Sequence, residues 1–239
     1  LSELKPVSDL EIYQKTSDLK RLSKDFFDYS PILIKELKDC LADIVVRPLS
    51  VEAIIIVAQM CNKYSIPLTL RGSGTGNYGQ CVPLKGGVVM VMSGLRKIRN
   101  FDSKTGEITV EAGCLLRDIN DELIEHGRQL RLLPSTWRSA SIGGFISGGS
   151  GGIGSVRWGF LRDPGHLQAL EIITTEDPPR KLKLNANNSE ALNHAYGTNG
   201  IITALTLTTA PYVRWQQIVV DCFELDQAVN LLAKFNCAA

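Results

Sequence analysis

Residues 71–79 read RGSGTGNYG, and the last three glycines of this stretch have the G-x-G-x-x-G spacing of a dinucleotide-binding turn. That spacing has physical meaning only where a strand leads into the loop and a helix leads out of it. The preceding residues, 67–71, have the apolar character of a short buried strand. After the loop, however, Pro83 and the adjacent pair Gly86–Gly87 exclude a helix. The stretch is therefore predicted to be a strand–loop–strand unit and not a Rossmann turn.

The composition is typical of a globular protein and excludes several classes of partner. Of the 239 residues, 44% are hydrophobic and 21% are charged, which allows one large domain or two smaller ones. The net charge is +1 and the basic residues form no run, so we expect no nucleic-acid partner. The longest apolar stretches, such as 54–58 and 88–92, are too short to cross a bilayer, so no transmembrane segment is predicted.

The cysteines and the N-terminal residues bear on the compartment. The six cysteines contain no C-x-x-C pair and there are only three histidines, which predicts reduced thiols and no metal site. Free cysteines in apolar surroundings behave as small hydrophobic residues. No signal peptide is predicted, because charged residues interrupt the N-terminal apolar positions at Lys5, Asp9, Glu11 and Lys15. We therefore expect a cytoplasmic location.

Hydrophobic periodicity predicts a chain that mixes helices and strands. Helices are predicted over 9–39 in two pieces divided near Pro31, and over 51–63, 115–126, 189–194 and 226–235. Strands are predicted over 44–48, 67–71, 87–92, 107–112, 167–175, 180–184, 201–209 and 215–223. The last strand and helix cannot enclose a core by themselves. They predict the start of a second domain or a contact with a partner.

Three glycine-rich segments punctuate this pattern. Residues 143–154 contain seven of the 21 glycines, and residues 71–79 contain four more. Ile142, Phe145 and Ile146 stand among these glycines, which argues against a flexible linker and favours a backbone that approaches another group closely. Residues 196–203 form a third glycine segment before a strand. Because successive backbone N–H groups in such turns bind anions, two loops of this kind are suited to hold a pyrophosphate.

Taken together, these motifs resemble the FAD-linked oxidase family, which is related to vanillyl-alcohol oxidase and UDP-N-acetylmuramate dehydrogenase and has a PCMH-type FAD-binding domain. Within it, the similarity is strongest to the branch of glycolate oxidase, D-lactate dehydrogenase and D-2-hydroxyglutarate dehydrogenase. The resemblance covers about residues 40–210. The motifs that carry it are Ile44-Val-Val-Arg-Pro48, Arg71-Gly-Ser-Gly-Thr-Gly76 with Gly79, Ser141-Ile-Gly-Gly144, Gly151-Gly152, Trp158-Gly159, Asp163 and Gly197-x-x-Gly200-Ile-Ile-Thr203.

The resemblance implies a fold and a domain organisation. The fold would be α+β, a PCMH-type FAD-binding fold in which two α/β subdomains clasp FAD between them. The FAD-binding domain would occupy residues 1–212, with subdomains at about 40–112 and 113–212 and with N-terminal helices at 9–39. Residues 213–239 would begin a truncated substrate or cap domain.

The resemblance also implies which residues hold the cofactor. The first loop would wrap the pyrophosphate through backbone amides, the second would line the middle of the cofactor, and the third would add main-chain contacts. The cofactor-binding residues implied in this way are Arg71, Gly72, Ser73, Gly74, Thr75, Gly76, Asn77, Gly79, Pro134, Ser135, Thr136, Ser141, Ile142, Gly143, Gly144, Ser147, Gly148, Gly152, Gly200, Ile201 and Ile202.

Two departures from the family imply that FAD is held noncovalently. Relatives that attach FAD covalently place a histidine where Thr75 stands, and a cysteine where residues 137–140 stand. The catalytic residues stay unassigned. Flavin carries the redox chemistry, so the protein must supply orientation and a base for the substrate hydroxyl. The three histidines, His126, His166 and His194, have better explanations as a helix-end residue, a turn residue and a helix residue.

The implied activity is oxidation of a 2-hydroxy acid by hydride transfer to FAD. Three other functions stay open on the sequence. The chain is alternatively a flavin-binding subunit of an electron-transfer complex that is inactive alone, an NADPH-dependent enzyme of the UDP-N-acetylmuramate dehydrogenase type, or a scaffold domain that has lost its cofactor. The implied partners are a small-molecule substrate, an electron-acceptor protein, a missing cap domain or subunit, and a second copy in a homodimer.

Overall fold

The protein is described here by a computed structural model that covers residue 4, residues 7–216 and residues 218–238. The strands are β1 Leu10–Tyr13, β2 Ile44–Pro48, β3 Leu68–Arg71, β4 Val88–Val91, β5 Ile98–Asp102, β6 Glu107–Glu111, β7 Arg128–Gln129, β8 Leu167–Ile173, β9 Lys181–Asn185, β10 Ile201–Thr208 and β11 Ala210–Pro211. The helices are α1 Thr16–Leu22, α2 Pro31–Leu37, α3 Val51–Lys63, α4 Leu116–Glu125, α5 Ile142–Gly148, α6 Ser155–Trp158 and α7 Leu225–Ala238. Short 3-10 turns occur at Phe27–Tyr29, Met92–Gly94 and Asn187–Leu192.

The first sheet has the strand order β1-β2-β4-β3. The apolar strands β2, β4 and β3 form two parallel pairs, with β4 between the other two. Strand β1 pairs antiparallel with β2 and forms one edge of the sheet. Helix α3 begins where the Ser50 side chain accepts a hydrogen bond from the Ala53 amide at 3.2 Å. Its buried face, which includes Ile54, packs with Val46 and Met90 in one core.

The second sheet is antiparallel and has the order β5-β6-β10-β8-β9. Its core contains residues from the sheet and from the helices α4 and α5, including Ile108, Leu116, Ile146 and Leu170. Ile173 and Ile201, which end β8 and begin β10, belong instead to the core of the first sheet. The two sheets are therefore joined by a continuous apolar contact, and the loops that leave their strands face each other.

The structure corrects four predictions about local structure. Residues 10–13 form strand β1, not the start of a helix, because they pair with β2. Strand β5 was not predicted. Within the second glycine segment, residues 142–148 form helix α5, where a glycine-rich loop was predicted. The predicted strand 215–223 has no regular structure in its described residues, and residue 217 lies outside them.

Most of the other predicted elements are observed within a few residues of the expected bounds. Helix α2 begins with Pro31 in its first turn, as predicted, and no helix follows the first glycine loop between residues 72 and 87. The subdomain bounds stay a prediction. Strands β5 and β6, which the predicted boundary near residue 112 assigns to the first subdomain, belong to the second sheet. Within the described ranges, every helix is too short or too polar to cross a bilayer.

Candidate functional site

A cavity of about 360 Å³ lies where the three glycine segments meet. Its walls come from the first loop after β3, from residues 134–136, from the first residues of α5, and from Tyr196, Gly197 and Ile202 near the start of β10. Concave sites of this size commonly bind small molecules or cofactors. The described chain thus brings its glycine-rich segments to one place although they are far apart in sequence.

The first loop is shaped by an arginine that lies beneath it. The Arg71 side chain is 8% exposed, and its Nη1 atom donates to the Lys24 carbonyl oxygen at 2.6 Å and to Cys81 Sγ at 3.1 Å. The guanidinium occupies the space that a Cβ atom at Gly74 would need, and Gly74 has a φ of +70°. Only glycine fits at this position. The structure places Arg71 behind the loop and not on the cavity wall.

The second loop approaches the first so closely that side chains are excluded. An ideal Cβ atom at Gly72 would lie 2.5 Å from Ser141 Oγ and 3.3 Å from Gly144 Cα. Helix α5 is held in place because the Ile142 and Gly143 amides donate to the Cys114 and Ala112 carbonyl oxygens, each at 2.8 Å. Ser141 lines the cavity and is 3% exposed, and its buried hydroxyl has no hydrogen-bond partner in the protein. Since buried hydroxyl groups are normally paired, this hydroxyl has unused hydrogen-bonding capacity beside the cavity.

The third segment closes the cavity through a strained turn. The Tyr196 amide donates to the Ser147 carbonyl oxygen at 2.9 Å, and the His194 amide donates to the Ile146 carbonyl oxygen at 3.0 Å. Both His194 and Tyr196 have positive φ angles, of +59° and +52°. Such conformations in residues other than glycine persist only where surrounding contacts enforce them. Here the contacts with α5 enforce the turn and bring Tyr196 to the cavity.

Most of the predicted cofactor-binding residues line the cavity. Those that do are Gly72, Ser73, Gly74, Thr75, Gly76, Asn77, Pro134, Ser135, Thr136, Ser141, Gly143, Gly144, Ser147, Gly148 and Ile202. Those that the structure places away from its walls are Arg71, Gly79, Ile142, Gly152, Gly200 and Ile201. The Ile142 and Ile201 side chains are buried in the two cores, and Gly152 lies against the Leu133 carbonyl oxygen. Their assignment to the cofactor stays a prediction.

Sequence reasoning missed several residues on the cavity wall. Three of them, Tyr78, Gln80 and Cys81, lie at the end of the first loop or directly after it. Their closeness to the loop in sequence was a signal from which they could have been predicted. Asp25 also lines the cavity but lies far from every glycine segment in sequence. No pattern around Asp25 marks it, because its position depends on how the N-terminal segment packs against the loop.

The histidines that were considered as bases lie elsewhere or serve structural contacts. His166 is buried, its Nε2 atom is 2.7 Å from the Trp158 carbonyl oxygen, and burial lowers the pKa of its imidazole. His126 stacks on the Phe101 ring, with its centroid at 4.9 Å. His194 Nε2 is 2.9 Å from the Tyr196 hydroxyl oxygen. None of the three lines the cavity, so the catalytic base stays unassigned.

The cysteines and the acidic residues offer no evident metal site in the described chain. No group of three or more His, Cys, Asp or Glu residues is arranged to hold a metal ion within residues 4, 7–216 and 218–238. The described cysteines are all free thiols: Cys40, Cys61, Cys81, Cys114 and Cys222. The side chain of Cys237 lies outside the described part.

Comparison with known proteins identifies the family. A sequence model of the family described as "FAD binding domain" matches residues 42–177, which is more than half of the chain. The chain belongs to this FAD-binding family. The matched residues include the first loop, residues 134–136 and helix α5, which together form most of the cavity wall. FAD is therefore the cofactor of the family to which this chain belongs.

Relatives of known description agree with this family. The chain is 28% identical over 176 residues to a D-lactate dehydrogenase of Anaerostipes hadrus. The alignment covers 71% of this chain and 36% of that protein. It is 27% identical over 173 residues to the mitochondrial D-2-hydroxyglutarate dehydrogenase of Danio rerio, covering 70% of this chain and 32% of the relative. The chain thus spans about a third of the length of these relatives.

A solved structure of alkyldihydroxyacetonephosphate synthase has the same fold. The two align with a TM-score of 0.75 over 88% of this chain and 40% of that protein, at 20% sequence identity. This similarity concerns the fold alone. Together with the family match, it confirms the predicted α+β fold of the PCMH type.

Proposed function

We propose that this chain binds FAD noncovalently in the cavity and forms the flavin-binding part of a dehydrogenase or oxidase that acts on a 2-hydroxy acid. The observation that carries the proposal is the buried, unpartnered Ser141 hydroxyl at the point where Gly72 and Gly144 leave no room for side chains. A hydroxyl group in such a cradle is suited to donate to a phosphate oxygen. The residues present therefore fit a dinucleotide cofactor.

The pyrophosphate is assigned to the first loop and the start of α5. Gly72, Gly74 and Gly76 line the cavity, and no acidic side chain other than Asp25 lines it in the described chain. Thr75, Asn77 and Ser141 supply further polar side chains on the wall. Backbone amides and hydroxyl groups of this kind bind phosphate oxygens.

Noncovalent attachment is supported by the chemistry of the cavity wall. Thr75 lines the cavity at the position where a covalent histidine linkage was considered. Among the described cysteines, Cys81 alone lines the cavity, and it contacts the Arg71 guanidinium. Burial raises the pKa of the Cys81 thiol, although Arg71 opposes this effect. A protonated thiol is a poor nucleophile, so Cys81 is not suited to form a flavin linkage.

The substrate class is proposed from the relatives, which are named for D-lactate and D-2-hydroxyglutarate. When bound, FAD would supply the acceptor for a hydride, which carries two electrons and one proton from the substrate. The described residues bind and orient this cofactor, and none of them is placed as the base. We assign the base and the substrate pocket to a region outside this chain, because the relatives are about three times longer. A small-molecule substrate and an electron acceptor are the corresponding partners.

The last residues are proposed to start that region. Helix α7 lies within the predicted segment 213–239, and its apolar side chains at Val229, Leu232 and Phe235 are 54–63% exposed. Exposed apolar side chains in a row are typical of a surface that another part of the protein covers. The FAD-binding domain would then occupy residues 1–212, as the sequence predicts.

The visible absorption spectrum of the purified chain tests the cofactor assignment. We expect a yellow protein that releases free FAD into the supernatant after acid precipitation, since the cofactor is not covalently attached. Reduction of the bound FAD by a 2-hydroxy acid, in the full-length protein, would support the substrate class. A colourless chain that does not bind added FAD would contradict the proposal. Rapid reduction of the bound FAD by NADPH would contradict the assignment of a 2-hydroxy acid as the substrate.

Replacing Ser141 with alanine is expected to have opposite effects on stability and on FAD binding. Without FAD, the variant should be more stable than the native chain, because an unpartnered buried hydroxyl is removed. With FAD, the dissociation constant should rise about 2- to 13-fold, since one hydrogen bond contributes about 0.5–1.5 kcal/mol. Thermal unfolding without FAD and flavin fluorescence titration measure the two effects.

The matched control for this variant is Ser139→Ala in the same segment. The Ser139 hydroxyl is exposed and donates to the Thr136 carbonyl oxygen at 3.3 Å, and it does not line the cavity. Both measurements should stay close to those of the native chain. If Ser141→Ala binds FAD as tightly as the native chain does, the hydroxyl has no role in holding the cofactor.

A further inference from the structure

The first glycine loop is supported from behind by residues 24–27, which precede the family's matched residues 42–177. This segment connects α1 to the 3-10 turn at Phe27–Tyr29. Its backbone contacts the loop directly, since the Phe26 amide donates to the Gly76 carbonyl oxygen at 2.9 Å. The loop that faces the cavity therefore depends on a part of the chain that no loop motif includes.

The Asp25 carboxylate forms the densest set of contacts between this segment and the loop. One of its oxygens accepts from the Phe27 amide at 3.0 Å. The other accepts from the Gly79 amide at 2.9 Å and from the Gln80 amide at 3.1 Å. Asp25 is 5% exposed and lines the cavity. Both oxygens are thus used as acceptors, which only an acid at this position provides, because an amide nitrogen donates.

Arg71 also connects the loop to the same segment, but here the loop residue is the donor and the segment is the acceptor. Its Nη1 atom donates to the Lys24 carbonyl oxygen at 2.6 Å, next to Asp25 in the chain. Burial raises the pKa of the Asp25 carboxyl above its ordinary value, while the three amides and the positive charge of Arg71 act against that shift. Two buried charged side chains therefore connect residues 24–27 with the loop. Asp25 accepts hydrogen bonds from the loop, and Arg71 donates one to the segment.

We infer that Asp25 is a positioning residue for the cofactor: by accepting the Gly79 and Gln80 amides, it holds the end of the first loop so that residues 72–77 form the cavity wall. The inference rests on the proposed function for the identity of the ligand. Asp25 accepts hydrogen bonds from the protein and is not assigned a contact with FAD. Because the loop is already held in one conformation, FAD binding does not have to order it, and the affinity is higher than for a mobile loop.

The first test compares FAD binding by Asp25→Asn and Asp25→Glu. The asparagine variant loses one acceptor and should bind FAD at least about tenfold more weakly, because hydrogen bonds to charged groups are the stronger ones. The glutamate variant keeps two acceptor oxygens and should retain more affinity than the asparagine variant. The control is Asp28→Asn, whose exposed carboxylate lies 3.6 Å from Lys24 Nζ and should leave binding unchanged. Flavin fluorescence titration measures all four proteins.

A second test measures the accessibility of Cys81 at the loop in the protein without FAD. Cys81 lies against Arg71 at the back of the loop, whereas Cys61 and Cys114 are buried in other parts of the chain. We expect Asp25→Asn to raise the rate of Cys81 alkylation by N-ethylmaleimide several-fold and to leave Cys61 and Cys114 slow, as resolved by mass spectrometry of peptides. Alkaline buffer is needed, because burial raises the pKa values of these thiols.

The outcomes separate the inference from the proposed function. Native affinity for FAD in Asp25→Asn would overturn the inference, and so would equal acceleration of all three thiols, which reports general unfolding. If the native chain itself binds no FAD, the proposed function fails, while the contrast between Cys81 and the other two thiols still decides whether Asp25 holds the loop.

Discussion

Replacing Gly72 with valine is expected to weaken FAD binding by about 100-fold and to leave the chain folded. The reason is the approach of the two loops. A Cβ atom at Gly72 would lie 2.5 Å from Ser141 Oγ and 3.3 Å from Gly144 Cα, which is closer than ordinary contacts allow. The two methyl groups of valine add further bulk between the first loop and α5, so the two walls of the cavity would have to move apart.

The magnitude follows from overpacking. Extra methyl groups in a closely packed site cost about 1–3 kcal/mol, and about 2.8 kcal/mol corresponds to 100-fold in a dissociation constant. Gly72→Ala should fall between the native chain and the valine variant. Fluorescence titration with FAD measures the affinity, and circular dichroism without FAD measures folding.

A control glycine separates this effect from general loss of stability. Gly127 follows α4, has a φ of +66° and has nothing within 4 Å of an added Cβ atom. Gly127→Ala therefore introduces backbone strain without a collision near the cavity, and it should lower stability by about 1 kcal/mol with no change in FAD affinity. Equal affinity of Gly72→Val and the native chain would contradict the site assignment.

Replacing Ile146 with alanine is expected to lower the free energy of unfolding by about 2–5 kcal/mol. Ile146 is fully buried in the core of the second sheet and lies on α5, between the cavity and the sheet. Its carbonyl oxygen accepts from the His194 amide, which ties α5 to the third glycine segment. Loss of packing here should also weaken FAD binding, because α5 carries Gly143 and Gly144.

Graded and exposed substitutions test that explanation. Ile146→Val removes one methylene and should lower stability by about 0.5–1.5 kcal/mol. Ile124→Ala, on α4, truncates a side chain that is already 39% exposed and should have a smaller effect than Ile146→Ala. Urea denaturation followed by circular dichroism gives the free energies. A loss from Ile124→Ala equal to that from Ile146→Ala would show that burial at α5 does not determine stability.

Local signals predicted the elements whose structure depends on nearby residues. Helix α3 begins at its Ser50 cap and strand β4 follows an uninterrupted apolar run, because a cap and a short buried strand are visible in a few residues. The absence of a helix after the first loop followed in the same way from Pro83 and the adjacent glycines. The residues around the three glycine segments were assigned to the cofactor through the resemblance to the FAD-linked oxidase family.

Pairing partners explain the elements that were predicted wrongly. Residues 10–13 are a strand because they pair with β2, where the Glu11 carboxylate accepts from the Arg47 guanidinium at 2.6 and 2.8 Å. The predicted strand 215–223 contains the apolar run Ile218–Val220 but pairs with no strand in its described residues. Helix α5 contains three glycines, which disfavour a helix, and it forms through packing of Phe145 and Ile146.

The sequence by itself determined the mixed α and β character of this protein, its glycine segments and its resemblance to FAD-linked oxidases, because each depends on residue types at fixed short spacing. Only the tertiary structure decided that Arg71 lies beneath the first loop, that Asp25 accepts its amides and that the Ser141 hydroxyl has no partner in the protein. These features join segments that are distant in the chain. Their geometry arises when the packing of the two cores brings the loops together. A pattern of a few neighbouring residues cannot predict which distant segments will come into contact.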